Sequence, residues 1–149
     1  MKKSLLVLAL ASVVCTSATA SDQAYAEFNR TVEPVRSIVI TNASGEIAFG
    51  DESFNSQRAA MVRVVSNASA QESLSIETLR VSPNLSGLEN KIVYSVGDNQ
   101  GLHSGDTFML PVGRDFDFYT KVEEHKRNVP AGDAQVHTVI KINAPTFNG

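Results

Sequence analysis

The sequence predicts an all-β fold of antiparallel sheets, a sandwich or a barrel, behind a cleavable leader. Three observations carry this expectation. Apolar residues recur at every second position through most of the chain after residue 20, the spacing that buries one face of a strand and wets the other. Clusters of Gly, Asn, Asp, Ser and Pro separate these runs and supply turns. No segment sustains a 3.6-residue apolar stripe over three turns, so long helices are not expected.

The leader comes first. Met1-Lys2-Lys3 is a positive start, and residues 5–14 (LLVLALASVV) are an apolar run too short to span a bilayer. Ala18-Thr19-Ala20 then offers small residues at the two positions read by signal peptidase. Residues 1–20 are therefore expected to be a secretory signal. The single cysteine, Cys15, lies inside it. Val14 is bulky where a lipoprotein site carries a small residue, which favours cleavage after Ala20. The mature protein then has no thiol, disulfide or thiolate metal ligand and depends on packing and hydrogen bonds.

Charge excludes further classes. The chain has 13 basic and 16 acidic side chains. Loss of Lys2 and Lys3 leaves 11 basic against the same 16 acidic. No basic block exists to contact phosphates, so nucleic acid is not an expected partner. At 42% hydrophobic and 19% charged the chain can bury a core and is not a solvating tail. Its length suits one domain, and no membrane span is expected after the leader.

The elements follow in order. Ala24, Ala26, Phe28 and Val32 share one parity, with Arg30 interrupting; Tyr25, Glu27, Asn29 and Thr31 share the other. Pro34 closes this run, because it cannot donate to a ladder. Residues 21–34 are thus either the first strand of the domain or an arm that pairs with the edge of another molecule. The domain proper is expected over residues 35–149. Ile38 and Ile40 alternate with Val39. Ile47 and Phe49 share a face of a short strand. Ala60, Val62 and Val64 alternate with Met61, Arg63 and Val65. Leu74 and Ile76 lie on one face, then Leu79 and Val81 on the other, which predicts a bulge or break around Glu77-Thr78. Ile92, Tyr94 and Val96 form a strand. Residues 97–105 read as turn. Phe108, Leu110 and Val112 form a strand that Pro111 places at a sheet edge. Phe116, Phe118, Thr120 and Val122 form the next. One helical turn is expected in each of residues 85–90 and 121–127. Pro130-Ala131-Gly132-Asp133 launches the last strand, in which Ala134, Val136, Thr138, Ile140 and Ile142 share a face.

Catalytic and metal signatures are sparse. His103, His125 and His137 are far apart and lack ligand spacing. Glu123-Glu124-His125 reads as a solvated turn. Asp115 and Asp117 read as the wet face of a strand opposite Phe116 and Phe118, ahead of a calcium site. No G-x-S-x-G elbow, phosphate-binding glycine loop or dinucleotide fingerprint occurs. The chain is expected to be non-enzymatic, with no cofactor. The Asn-x-Ser/Thr triplets at Asn29, Asn42, Asn67 and Asn84 read as turn chemistry, and the lack of Trp weakens a sugar-stacking role.

Three features together resemble bacterial fimbrial subunits of the chaperone–usher route, in the cysteine-free class typified by colonisation-factor (CS1-type) pilins. They are residues 24–34 (AYAEFNRTVEP), the middle strand followed by Ser66-Asn67-Ala68-Ser69 and Leu74-Ser75-Ile76, and the Pro130–Asp133 turn before the final strand. The resemblance implies an immunoglobulin-like antiparallel β-sandwich that is incomplete and is completed by a donor strand. It implies donor-strand residues Ala24, Ala26, Phe28 and Val32, with Phe28 the main anchor. It also implies a groove-side, chaperone-binding strand bearing Val136, Thr138, Ile140 and Ile142. Expected partners are other fimbrial subunits, a periplasmic chaperone and an outer-membrane usher. Expected location is the periplasm in transit, then the fimbria on the cell surface. Arg30 departs from the pattern by placing a charge among the inserting residues. The other reading is a self-contained secreted or periplasmic β-sandwich acting as a binding or adhesin module, with residues 24–32 paired in their own sheet.

Overall fold

The computed structural model describes residues 26–145. The expected leader and Ala24 fall outside that range. Nine strands follow in order: β1 (Arg36–Asn42), β2 (Ile47–Phe49), β3 (Ala60–Ser66), β4 (Gln71–Val81), β5 (Ile92–Val96), β6 (Asn99–Leu102), β7 (Thr107–Pro111), β8 (Asp115–Val122) and β9 (Val136–Ile142). The fold is all-β. Its larger sheet runs β1-β3-β8-β5-β6, and its smaller sheet runs β7-β4-β9. Every pairing is antiparallel except that of β2, which lies parallel to β8 beyond the point where β3 starts.

The two sheets form a sandwich because each turns one alternating face inward. The larger sheet contributes Val62, Val64, Ile92, Tyr94, Val96, Phe116 and Val122, all buried. The smaller contributes Leu74, Ile76, Phe108 and Leu110. Leu85, in a 3-10 turn at Pro83–Leu85, closes one end. Burying each such side chain stabilises by roughly 1.5–3 kcal/mol.

Several expectations are refined. β4 is one continuous strand with an irregular register between Thr78 and Arg80. Leu79 sits at that irregularity and is 61% exposed, whereas Val81 packs on the core. Pro111 does lie on an edge strand, β7. The expected turn over 97–105 contains β6, hairpinned to β5; its Gly and polar residues hid a strand whose side chains bury little. The expected helical turns are 3-10 segments at Pro83–Leu85, Glu89–Lys91 and Lys126–Asn128, and β8 continues to Val122.

Among the described residues, those from Glu33 onward form one compact unit. Asn67, just past β3, ties down its start. The Val35 amide donates to Asn67 Oδ1 at 2.7 Å, Asn67 Nδ2 donates to the Glu33 carbonyl at 3.0 Å, and the Asn67 amide donates to the Val35 carbonyl at 3.2 Å. Residues 26–35 form no strand.

A buried ion pair joins the sheets at one end. Glu72 of β4 is 4% exposed and accepts hydrogen bonds from the Arg36 guanidinium of β1 and from the Ser66 and Ser69 hydroxyls, each at 2.7 Å. Arg36 also donates to the Asn143 carbonyl at 3.0 Å, just past β9. The Arg36 hydrogen bond holds the Glu72 carboxyl down to about 2, against the opposing effect of burial and with help from both serines. A depressed carboxyl contributes stability above its unfolded value of 4.5 and loses it as pH falls towards 2. We predict that Glu72→Gln costs roughly 2–3 kcal/mol at pH 7 and flattens the loss of stability between pH 4.5 and 2. Urea midpoints against pH read both effects; an unchanged acid limb contradicts this.

The β5–β6 loop is Gly97-Asp98. Gly97 has φ +58°, and a Cβ there would lie 2.7 Å from Phe116 Cδ1. Positive φ at the first loop position is the pattern of a type II′ hairpin turn. Gly97→Ala is expected to destabilise by about 1–3 kcal/mol, combining backbone strain with the collision, as read by thermal melting.

Candidate functional site at the edge of the last strand

β9 is paired on one side only. Its register with β4 runs from Leu74↔Ile142 to Val81↔Val136. Among the described residues no strand pairs with its other side, so that row of backbone donors and acceptors is free. Burial records the same asymmetry. Leu74 and Ile76 of β4 and Val62 and Val64 of β3 are fully buried. Val136, Ile140 and Ile142 pack on that core yet remain half-exposed, as does Thr138. In the other sheet, Ile40 of β1 shares the parity of inward-facing Ile38 but is 49% exposed. The core is thus covered incompletely along one seam.

At the start of β9 the seam widens into a cleft of about 560 Å³. Ile47, Phe49, Ala60 and Phe118 line one wall, and Ala134, Val136 and Thr138 the other. Glu46 and His137 also border it. Gly45 lets the chain enter β2 beside β3, since a Cβ there would lie 2.9 Å from the Ala60 amide nitrogen.

The free edge is nevertheless held firmly. In its middle, the Thr138 hydroxyl donates to the Tyr94 hydroxyl at 3.0 Å, and the Thr78 and Tyr94 hydroxyls lie 2.6 Å apart. Tyr94 belongs to the opposite sheet and is fully buried, so its polar tip links both sheets through the core. Just past its end, the Asn143 amide donates to the Ser73 carbonyl at 2.9 Å. Ahead of its start, Ser82 and Gln135 exchange two bonds of 2.9 Å, and Asn84 Nδ2 donates to the Pro130 and Gly132 carbonyls.

The residues expected on the groove side, Val136, Thr138, Ile140 and Ile142, therefore share one strand and the open seam. Of the expected arm, Ala26, Phe28 and Val32 lie in non-strand chain; Phe28 is 93% and Val32 75% exposed. Ala24 is outside the described residues. The histidines are dispersed: His103 donates its amide to Asp106, His125 lies 3.7 Å from Asp51, and His137 Nε2 lies 3.5 Å from Arg80. Asp115 is engaged by Arg63 at 2.7 Å and by Thr41; the Arg63 guanidinium holds its carboxyl below the usual range. Among the described residues no three His, Cys, Asp or Glu side chains gather to hold a metal ion, and no helix is long and apolar enough to cross a membrane.

Sequence reasoning missed the cleft and the Tyr94 link. Alternation places Tyr94 inward but does not say that its hydroxyl meets those of Thr78 and Thr138. Tyr94→Phe removes that hydroxyl and leaves two partly buried threonine hydroxyls without their shared partner. The expected cost is about 1–2 kcal/mol, with faster hydrogen exchange at residues 136–142 than at β5.

No protein-family model, curated protein or solved structure matches the chain.

Proposed function

We propose that this chain is a non-enzymatic structural subunit of a bacterial surface fimbria, contributing to adhesion and assembled by donor-strand exchange. The observation that carries the reading is the half-covered, unpaired edge of β9. An exposed edge of this kind is a template for strand addition, in which backbone hydrogen bonds give affinity and alternate side chains give register. The occupant is the N-terminal segment, residues 24–32, of another subunit.

The strand orders favour an immunoglobulin-like sandwich short of its final strand. Read as such a domain, β1-β3-β8-β5 stand as A-B-E-D and β4-β9 as C-F, and the vacant side of β9 is the place of strand G. The arm has the composition for that place: apolar residues at alternate positions, with Phe28 and Val32 exposed in the subunit itself. A head-to-tail contact of this kind does not close on itself, so subunits add indefinitely. In the periplasm the same edge needs a temporary occupant, which is the role of the implied chaperone; the usher then presents the next subunit. The leader expected at residues 1–20 supplies the route to that compartment.

A labelled peptide of residues 21–34 should bind the full chain and protect amides of β9 from hydrogen exchange. Phe28→Asp in the peptide should weaken binding by at least about tenfold, because burying a Phe side chain is worth roughly 1.5–3 kcal/mol. A peptide that does not bind, or binds without protecting β9, returns the chain to the class of self-contained secreted sandwich domains.

A further inference from the structure

Resting on the fimbrial reading, we infer that Arg30 of an arriving arm from a second copy seats at Glu46, on the rim of the cleft between β2 and β9. This gives a role to the one charge that interrupts the arm's apolar parity.

Size complementarity places Arg30 there. The inward residues along and just ahead of the last strand change from small to large along the chain: Ala134, which precedes β9, then Val136 and Thr138 border the cleft, and Ile140 and Ile142 follow. The arm changes from small to large as well: Ala24 and Ala26, then Phe28, Arg30 and Val32. Laid antiparallel to β9, large meets small throughout. Val32 lies beside Ala134, Arg30 beside Val136, Phe28 beside Thr138, Ala26 beside Ile140 and Ala24 beside Ile142. The three bulky arm residues then fall where the seam opens to about 560 Å³. Laid parallel, the two alanines would leave the cleft empty and Val32 would crowd Ile142.

Charge complementarity singles out the acceptor. Among the described residues Glu46 is the only carboxylate bordering the cleft. Its nearest cation, Arg58, lies 3.9 Å away, beyond hydrogen-bond distance, and both side chains are more than half exposed. Glu46 therefore has accepting capacity left for a guanidinium, whose planar fork matches a carboxylate. The Arg30 stem can pack along the apolar wall while its head remains at the wet rim. Such a rim pair sets register and partner choice more than total affinity.

The test is a charge exchange between the labelled 21–34 peptide and the full chain. Arg30→Glu in the peptide, or Glu46→Arg in the chain, should each weaken binding roughly five- to tenfold at low salt. The two together should restore affinity to within about threefold of the unaltered pair. Glu46→Gln, which changes charge at an exposed position with little change of shape, should weaken binding of the unaltered peptide about two- to threefold and lower its salt dependence. Binding that is indifferent to the single reversals, or that fails to recover in the exchanged pair, overturns the Arg30–Glu46 assignment and leaves strand addition standing. Failure of the unaltered peptide to bind the unaltered chain overturns both.

Discussion

A sandwich core has to be covered from two sides, and here the two covers are unequal. The larger sheet has a strand on each side of β3, β8 and β5, whereas the smaller sheet consists of β4 between β7 and β9. The last strand therefore contributes Val136, Ile140 and Ile142 to the core while nothing described shields their outer flank. Apolar surface along the seam is unfavourable in water, and the solvated edge amides beside it are a template for pairing, so one added strand covers the first and pairs the second. The functional reading rests on that imbalance.

The edge proposed to receive a partner strand is held in shape by its own contacts. The Arg36–Glu72 pair and Asn143 fix β9 beyond its end, Tyr94 fixes its middle from the opposite sheet, and Ser82 and Asn84 fix the approach to its start. Preorganisation of this sort lowers the ordering entropy that association would otherwise cost. It also explains why polar groups are retained in a small core. Glu72 and the Tyr94 hydroxyl are satisfied on all sides they present, so they specify how the sheets meet without leaving an orphaned group.

The legible parts of the fold were those where side-chain parity and burial agree. β3, β8 and β9 follow their alternation, and β5 is buried on both faces, the polar Ser95 included. β6 was hidden because Asn99-Gln100-Gly101 carry no apolar alternation, Asn99 instead donating its side-chain amide to the Val96 and Met109 carbonyls. Glu72 was invisible as a core residue because a carboxylate is buried only when its partners arrive from Arg36, Ser66 and Ser69, and sequence distance does not reveal that meeting. The alternate residues of the last strand were readable as a set. The cleft beside them was not, because it arises where β2 takes over from β3 alongside β8, a matter of chain path.

In a fibre of the kind proposed, Asn67 would have a mechanical role. Its three bonds to Glu33 and Val35 stand where the arm joins the folded body. Tension transmitted from a neighbour would reach this asparagine before any rung of the β1–β3 ladder. The side chain would thus act as a fuse in the load path: it parts first, lengthens the tether by a few residues and spares the subunit from being unzipped.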